Sequence, residues 1–256
     1  MLHVEIIPVL GDNYSYLLHD PVDGDTAVID PAEAEPVLAV LKTKGWGLDY
    51  VLNTHHHGDH TAGNLELRVR TGCRIAGAQA DKQRIPGLDT PLSEGDTLVL
   101  GSMVIRVLEV PGHTRAHLAF WLPEEKSLFS GDTLFSLGCG RLFEGTAAQM
   151  WSSLLKLANL PGDTQVYCAH EYTEANGRFA LSVEPGNAAL LEKLQQVKKL
   201  RAQGLPSVPF TLADELAANP FLRPHSAEIR ANLGLQRASD AQVFTELRRR
   251  KDQFNA

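Results

Sequence analysis

Short apolar and β-branched runs alternate with stretches of helical spacing over the first two thirds of the chain. The runs VEIIPVL, YLLHD, TAVID, YVLNT, CRIAGA, LVL, MVIRVLEV, LAFWL, SLFSGD and TQVYCAH predict strands. Between them, AEPVLAVLKTKG, AGNLELRVRTG and AAQMWSSLLKLANL carry helical spacing, with glycine or proline near their ends. From about residue 175 the strand pattern stops. NAALLEKLQQVKKLRAQG, SAEIRANLGL and SDAQVFTELRRRKDQF predict helices, and the proline-containing GLPSVPFTLADELAANPFLRP predicts a loop between the first and second. Alternation followed by helices alone predicts an α/β layered domain over residues 1–175 and an appended all-helical domain over residues 176–256.

Composition narrows the class. A chain of 256 residues with 43% hydrophobic content can bury one large core, or one core and a smaller domain. The formal charge of −7 argues against non-specific affinity for nucleic acid or an anionic membrane, so an anionic substrate needs a local basic patch. The opening MLHVEIIPVL has no basic leader and is interrupted by Glu5 and Pro8, and no apolar run approaches the roughly 20 residues that span a bilayer. The expected location is the cytoplasm. Cys73, Cys139 and Cys168 form no CxxC pair, which points away from a disulfide framework and from a thiolate metal site.

The stretch NTHHHGDHTAG holds four of the ten histidines directly after the predicted strand YVLNT. Strand ends of layered α/β proteins commonly carry sites. His55 and His57 stand at i and i+2, the spacing at which alternate side chains of an extended segment share a face, and Gly58 lets the backbone turn before Asp59 and His60. The competing readings are a surface loop that binds metal only adventitiously and a sequence tag; a tag would sit at a terminus and not between a strand and a helix. His113 in EVPGHTRAH, Asp132 in LFSGDTLF and His170 in VYCAHEYT each follow another apolar run. Five histidines and two aspartates at four strand ends suffice for two metal ions. The simplest allocation places His55, His57 and His113 on one, Asp59, His60 and His170 on the other, and Asp132 between them. His56 and His117 read as neighbours of the site, not as ligands.

These motifs resemble the metallo-β-lactamase superfamily and, within it, the hydroxyacylglutathione hydrolases of the glyoxalase II type. HxHxDH, PGH, GDT and AHEYT match the ligand set in order, while GDTLFSLGCGRLFEGTAAQM, NPFLR and RRRKDQF match the narrower family. The resemblance covers nearly the whole chain. It implies a four-layered αββα sandwich followed by a C-terminal all-helical domain that helps bind substrate. It also implies a thioesterase that splits S-2-hydroxyacylglutathione, with S-D-lactoylglutathione the expected substrate, in the second step of methylglyoxal detoxification. Glutathione is expected against Arg141, Tyr172, Arg248 and Lys251, with Phe143 lining the site. Two departures stand out: Ala116 replaces the family's usual glycine, and Phe143 replaces a tyrosine found in some relatives.

The donor set suits two divalent ions, zinc first, with iron or manganese as alternatives. Asp59 and Asp132 are the expected catalytic carboxylates, holding with the metals a bridging hydroxide that survives near neutrality because coordination lowers the pKa of water to roughly 7. A thiol of pKa about 8.5 leaves readily as the anion, so a dedicated general acid is not required. Arg248 and Lys251 share a helix face, while Arg249 and Arg250 read as solvated charges. A monomer without nucleic-acid or membrane partners is expected. The rivals are a one-iron persulfide dioxygenase, a lactonase or β-lactamase, and a binding module that keeps the fold; the complete ligand set and the basic tail weigh against each.

Overall fold

The computed structural model describes residues 2–254. The chain folds as two compact units, one running up to Glu109 and including Ala116–Gly131, the other comprising Val110–Arg115 and the chain from Asp132 onward.

The first unit begins with β1 (His3–Val9), β2 (Asn13–His19) and β3 (Thr26–Ile29), which pair antiparallel. Pro8 is accommodated because β1 is an edge strand, where a missing N–H leaves no ladder bond broken. Then come α1 (Ala34–Lys44), β4 (Tyr50–Leu52), α2 (Gly58–Thr61), α3 (Asn64–Thr71), β5 (Arg74–Ala78) and β6 (Thr90–Leu92). β3, β4, β5 and β6 run parallel, so the polar groups at their C-terminal ends gather on one edge. Val37 and Leu41 of α1 and Leu67 of α3 pack with Val28, Val51 and Ile75 of the sheet in one buried cluster. The antiparallel meander β7 (Thr97–Leu100), β8 (Met103–Glu109), β9 (Leu118–Leu122) and β10 (Ser127–Gly131) completes the unit. Along β8, Met103, Ile105 and Val107 are buried while Val104 and Arg106 are exposed, the period-two pattern of a strand with one covered face. Tyr16 of β2 meets Phe129 of β10 edge to face at 5.5 Å, so the two sheets of this unit touch through their aromatic side chains.

In the second unit, the hairpin β11 (Leu134–Phe135) and β12 (Gly138–Cys139) leads to α4 (Ala147–Ala158), β13 (Gln165–Cys168), α5 (Thr173–Val183) and α6 (Ala188–Ala202). β14 (Phe210–Thr211), α7 (Leu212–Ala218), α8 (Ala227–Leu233) and α9 (Asp240–Asp252) follow. The strands therefore do not stop at 175, since β14 pairs with β13. The expected loop holds α7 as well: Thr211 caps it by accepting from the Asp214 amide at 3.1 Å. α5 escapes the sequence pattern because Gly177 interrupts it. A Cβ at that glycine would lie 2.2 Å from Leu194 Cδ2, so any larger residue there would push the Leu194 side chain aside. Phe179, Phe221, Phe244 and Trp151 join α5, α9 and α4 in a chain of ring contacts. Among the described residues no helix is long and apolar enough to cross a membrane.

Candidate active site

In the first unit the site grows from the ends of two adjacent parallel strands. Asp30, directly after β3, has a left-handed backbone (φ 49°) and accepts three hydrogen bonds: from Thr54 N at 2.8 Å, Thr54 Oγ1 at 2.6 Å and His60 Nδ1 at 2.9 Å. Its carboxylate thus fixes the start of the histidine loop and its last imidazole, leaving Nε2 of His60 as the lone-pair nitrogen. That atom lies 3.5 Å from Asp59 Oδ2. Asn13 holds Asp59, donating to its Oδ2 at 3.0 Å. His55 Nε2 and His57 Nδ1 are 2.9 Å apart. His56 turns the other way, with Nδ1 3.1 Å from Asp81 and Nε2 3.2 Å from Arg84. The i, i+2 alternation is therefore present. After His57 the chain turns through the single helical turn α2, which carries Asp59 and His60.

His117 stacks on His55 at 4.8 Å. Gly131 makes room for His117 and for Thr54: its φ is 50°, and a Cβ would come within 2.6 Å of Thr54 Oγ1 and 2.7 Å of His117 Cε1. Asp30 and Asn13 hold His60 and Asp59 by hydrogen bonds, and the sequence pattern does not single them out. The D of TAVID at a strand end is the one signal that points to Asp30.

In the second unit His113 Nδ1 donates to the Arg141 carbonyl at 2.9 Å, which directs Nε2 to Asp132 Oδ2 at 3.3 Å. The other oxygen, Oδ1, is 3.4 Å from His170 Nε2. Each carboxylate oxygen of Asp132 thus faces a different histidine, and all three side chains are buried. Donor atoms 3 to 4 Å apart are spaced as ligands of one ion at bond lengths near 2.0–2.2 Å would be, so imidazole and carboxylate groups in both units fit a divalent metal.

A cavity of about 390 Å³ opens beside Asp132 and His113 within the second unit. The five expected substrate residues, Arg141, Phe143, Tyr172, Arg248 and Lys251, all line it. Tyr172 stacks on His170 at 4.8 Å, and Phe143 meets His113 edge to face at 5.2 Å. Burial, with the neighbouring charges of Arg248, Arg178 and Arg141, lowers the Lys251 ammonium to about 8. Arg248 is only 3% exposed. Its guanidinium donates to the Cys139 carbonyl at 2.8 Å and to Asp252 at 2.8 Å, so much of its bonding capacity is used within the protein. Arg249 and Arg250 pair with Glu246 outside the cavity. Burial pushes the Cys139 thiol up to about 11 and Cys168 up to about 12, which keeps both as inert thiols.

Residues 9–170 match the metallo-beta-lactamase superfamily, and residues 171–254 match the hydroxyacylglutathione hydrolase C-terminus. A hydroxyacylglutathione hydrolase of Methylococcus capsulatus is 59% identical over 99% of both chains. Another, from Cereibacter sphaeroides, is 51% identical over 99% of both. The crystal structure of the BLEG-1 B3 metallo-beta-lactamase has a TM-score of 0.67 at 22% identity, covering 86% of this chain and all of that one. The fold is that of the metallo-β-lactamases, and its His and Asp clusters make it a divalent-metal protein. The chain belongs to the hydroxyacylglutathione hydrolase family of that superfamily.

Proposed function

We propose that the protein is a metal-dependent thioesterase that hydrolyses S-2-hydroxyacylglutathione, with S-D-lactoylglutathione as substrate and D-lactate and glutathione as products. The observation that carries the reading is Asp132: its two oxygens face His113 and His170 at the edge of a cavity lined by Arg141 and Lys251. His55, His57 and His113 would hold one divalent ion and Asp59, His60 and His170 a second, with Asp132 shared; zinc is the first choice, iron or manganese the alternatives. When bound, the ions supply Lewis acidity and a water whose pKa is lowered toward 7.

The chain's own groups do the rest. Asp59 and Asp132 offset the metal charge and are the catalytic carboxylates. Lys251 and Arg141 meet the carboxylates of the glutathione moiety, remote from the scissile bond. The rings of Phe143 and Tyr172 flank the two histidines of this unit and confine the acyl end. Phe143 offers no hydroxyl, so polar recognition there falls to Arg141. The leaving thiolate needs no proton donor. Residues 1–175 would carry the metals together with Arg141, Phe143 and Tyr172, and residues 176–256 would add Arg248 and Lys251 to the substrate site, in a cytoplasmic monomer. Turnover of a panel of glutathione and non-glutathione thioesters, with metal analysis of the purified protein, tests the proposal. Preference for small neutral thioesters over S-D-lactoylglutathione would overturn it.

A further inference from the structure

The segment Phe135–Arg141 supplies Phe135, Cys139 and Arg141 to the cavity. The residues between them, Ser136, Leu137 and Gly138, point their polar groups toward α5 and α7. There Glu215 accepts from Leu137 N at 2.7 Å and from Ser136 Oγ at 3.1 Å. Asn219 Nδ2 lies 3.2 Å from the Phe135 carbonyl, 3.0 Å from the Gly138 carbonyl and 3.0 Å from Glu215. Asn176 donates to the Ser136 carbonyl at 3.1 Å. Glu215 and Asn219 are fully buried, and Lys193 Nζ stands 3.5 Å from the Glu215 carboxylate to balance its charge.

A buried carboxylate is an expensive way to fill a core, so what it holds matters. It holds backbone that would not stay in place unaided. Leu137 has φ 57°, a left-handed conformation that a leucine keeps only when its surroundings over-determine it. Its side chain is anchored among Ala180, Leu190 and Ala218, and its amide is anchored by Glu215. Both ends of the tight turn feed the cavity. Phe135 packs edge-on to Tyr172 at 5.4 Å, and the Cys139 carbonyl is the seat of Arg248. Asn219 also accepts from Phe221 N at 3.0 Å, and the Phe221 ring lies under the Arg248 guanidinium at 5.2 Å.

We infer that Glu215, Asn219 and Asn176 are positioning residues for substrate binding: Glu215 and Asn219 clamp the 135–139 turn from behind and Asn176 from the cavity wall, so that Phe135 and the Arg248 seat stand correctly in the cavity. The inference rests on the proposed function above. The clamped turn meets the proposed ligands through the edge-to-face contact of Phe135 with His170 at 5.9 Å, while its hydrogen bonds run to α5 and α7, so the clamp acts first on affinity for the glutathione part and only weakly on metal binding and the chemical step.

The test uses the full-length, metal-loaded protein and its variants Asn219→Ala, Glu215→Gln and Ser136→Ala. For S-D-lactoylglutathione, KM should rise about 10-fold in the first two and about 3-fold in Ser136→Ala, with kcat within about 2-fold. Metal per chain, and kcat/KM for a small neutral thioester, should match wild type. Wild-type KM in a folded Asn219→Ala or Glu215→Gln protein overturns the inference, as does equal loss on both thioesters, which marks a merely structural role. Should both of those variants fail to fold, an unchanged KM in Ser136→Ala overturns it. A wild-type protein inactive on the glutathione thioester would remove the proposed function and the clamp together; an active wild type with unaffected variants removes only the clamp.

Discussion

In the histidine loop, from Thr54 to His60, both ends are tied by the neighbouring strand end or by the loop itself: Asp30 ties Thr54 to His60, and Thr61 Oγ1 donates to the His57 carbonyl at 3.0 Å. The floor of the cavity is held from afar. Its turn is fastened by Asn176, Glu215 and Arg248, residues 40 to 109 positions further along the chain. The histidine loop is thus anchored at its ends by the sheet edge, whereas the cavity exists only once the helices of the second unit have packed. Damage to the first should therefore appear as lost metal and lost chemistry, and damage to the second as lost affinity.

The largest expected effect is at Asp132, which faces two histidines. Asp132→Ala should lower kcat/KM on the order of 1,000-fold and reduce bound metal, with circular dichroism unchanged. Two ions per chain and near-normal turnover would remove the shared-ligand role. His57→Ala should cost on the order of 100-fold and lose metal, while His56→Ala, whose ring is engaged by Asp81 and Arg84, should stay within about 3-fold. Equal losses in the two variants would mean that the loop register is different. Asp30→Asn sharpens the local side of the contrast, because the amide can no longer accept from both Thr54 and His60; metal affinity, followed by competition with a chelator, should weaken about 10- to 100-fold.

On the cavity side, Lys251→Ala should raise KM for the glutathione thioester about 10-fold with little change in kcat. The charge on Lys251 also predicts a pH dependence. Its ammonium loses its proton as pH rises through about 8 in the free protein, so attraction for a carboxylate is present below that pH and fades above it. KM should climb above pH 8, and Lys251→Ala should flatten the climb; a KM profile identical in the two proteins would exclude the residue from binding. The smallest effect is expected for Arg249→Ala. Its partner is the exposed-side Glu246, and kcat/KM should change less than about 2-fold.

The same contrast explains what the sequence disclosed. The ligand loop was legible because its chemistry is contiguous: HxHxDH follows an apolar run, and the strand period alone orients His55 and His57. The α/β alternation and most strands were legible for the same reason. Asp30 and Asn13 were not, since one aspartate after a strand and one asparagine beginning another look ordinary until the parallel pairing of β3 and β4 brings Asp30 beside Thr54. In the tail, α7 and β14 lay inside a proline-rich stretch whose capping threonine was the only local clue, and α5 was masked by Gly177. Residues such as Glu215 and Asn219 carry no local pattern at all, because their significance lies in backbone groups some 80 positions away.

The central claim is a two-ion centre that serves glutathione-thioester hydrolysis, and metal reconstitution tests it most directly. Protein stripped with a chelator should have no activity on S-D-lactoylglutathione and should regain it as zinc, iron or manganese is added, reaching a plateau only at about two equivalents per chain. A plateau at one equivalent, or full activity in the stripped protein, would contradict the account.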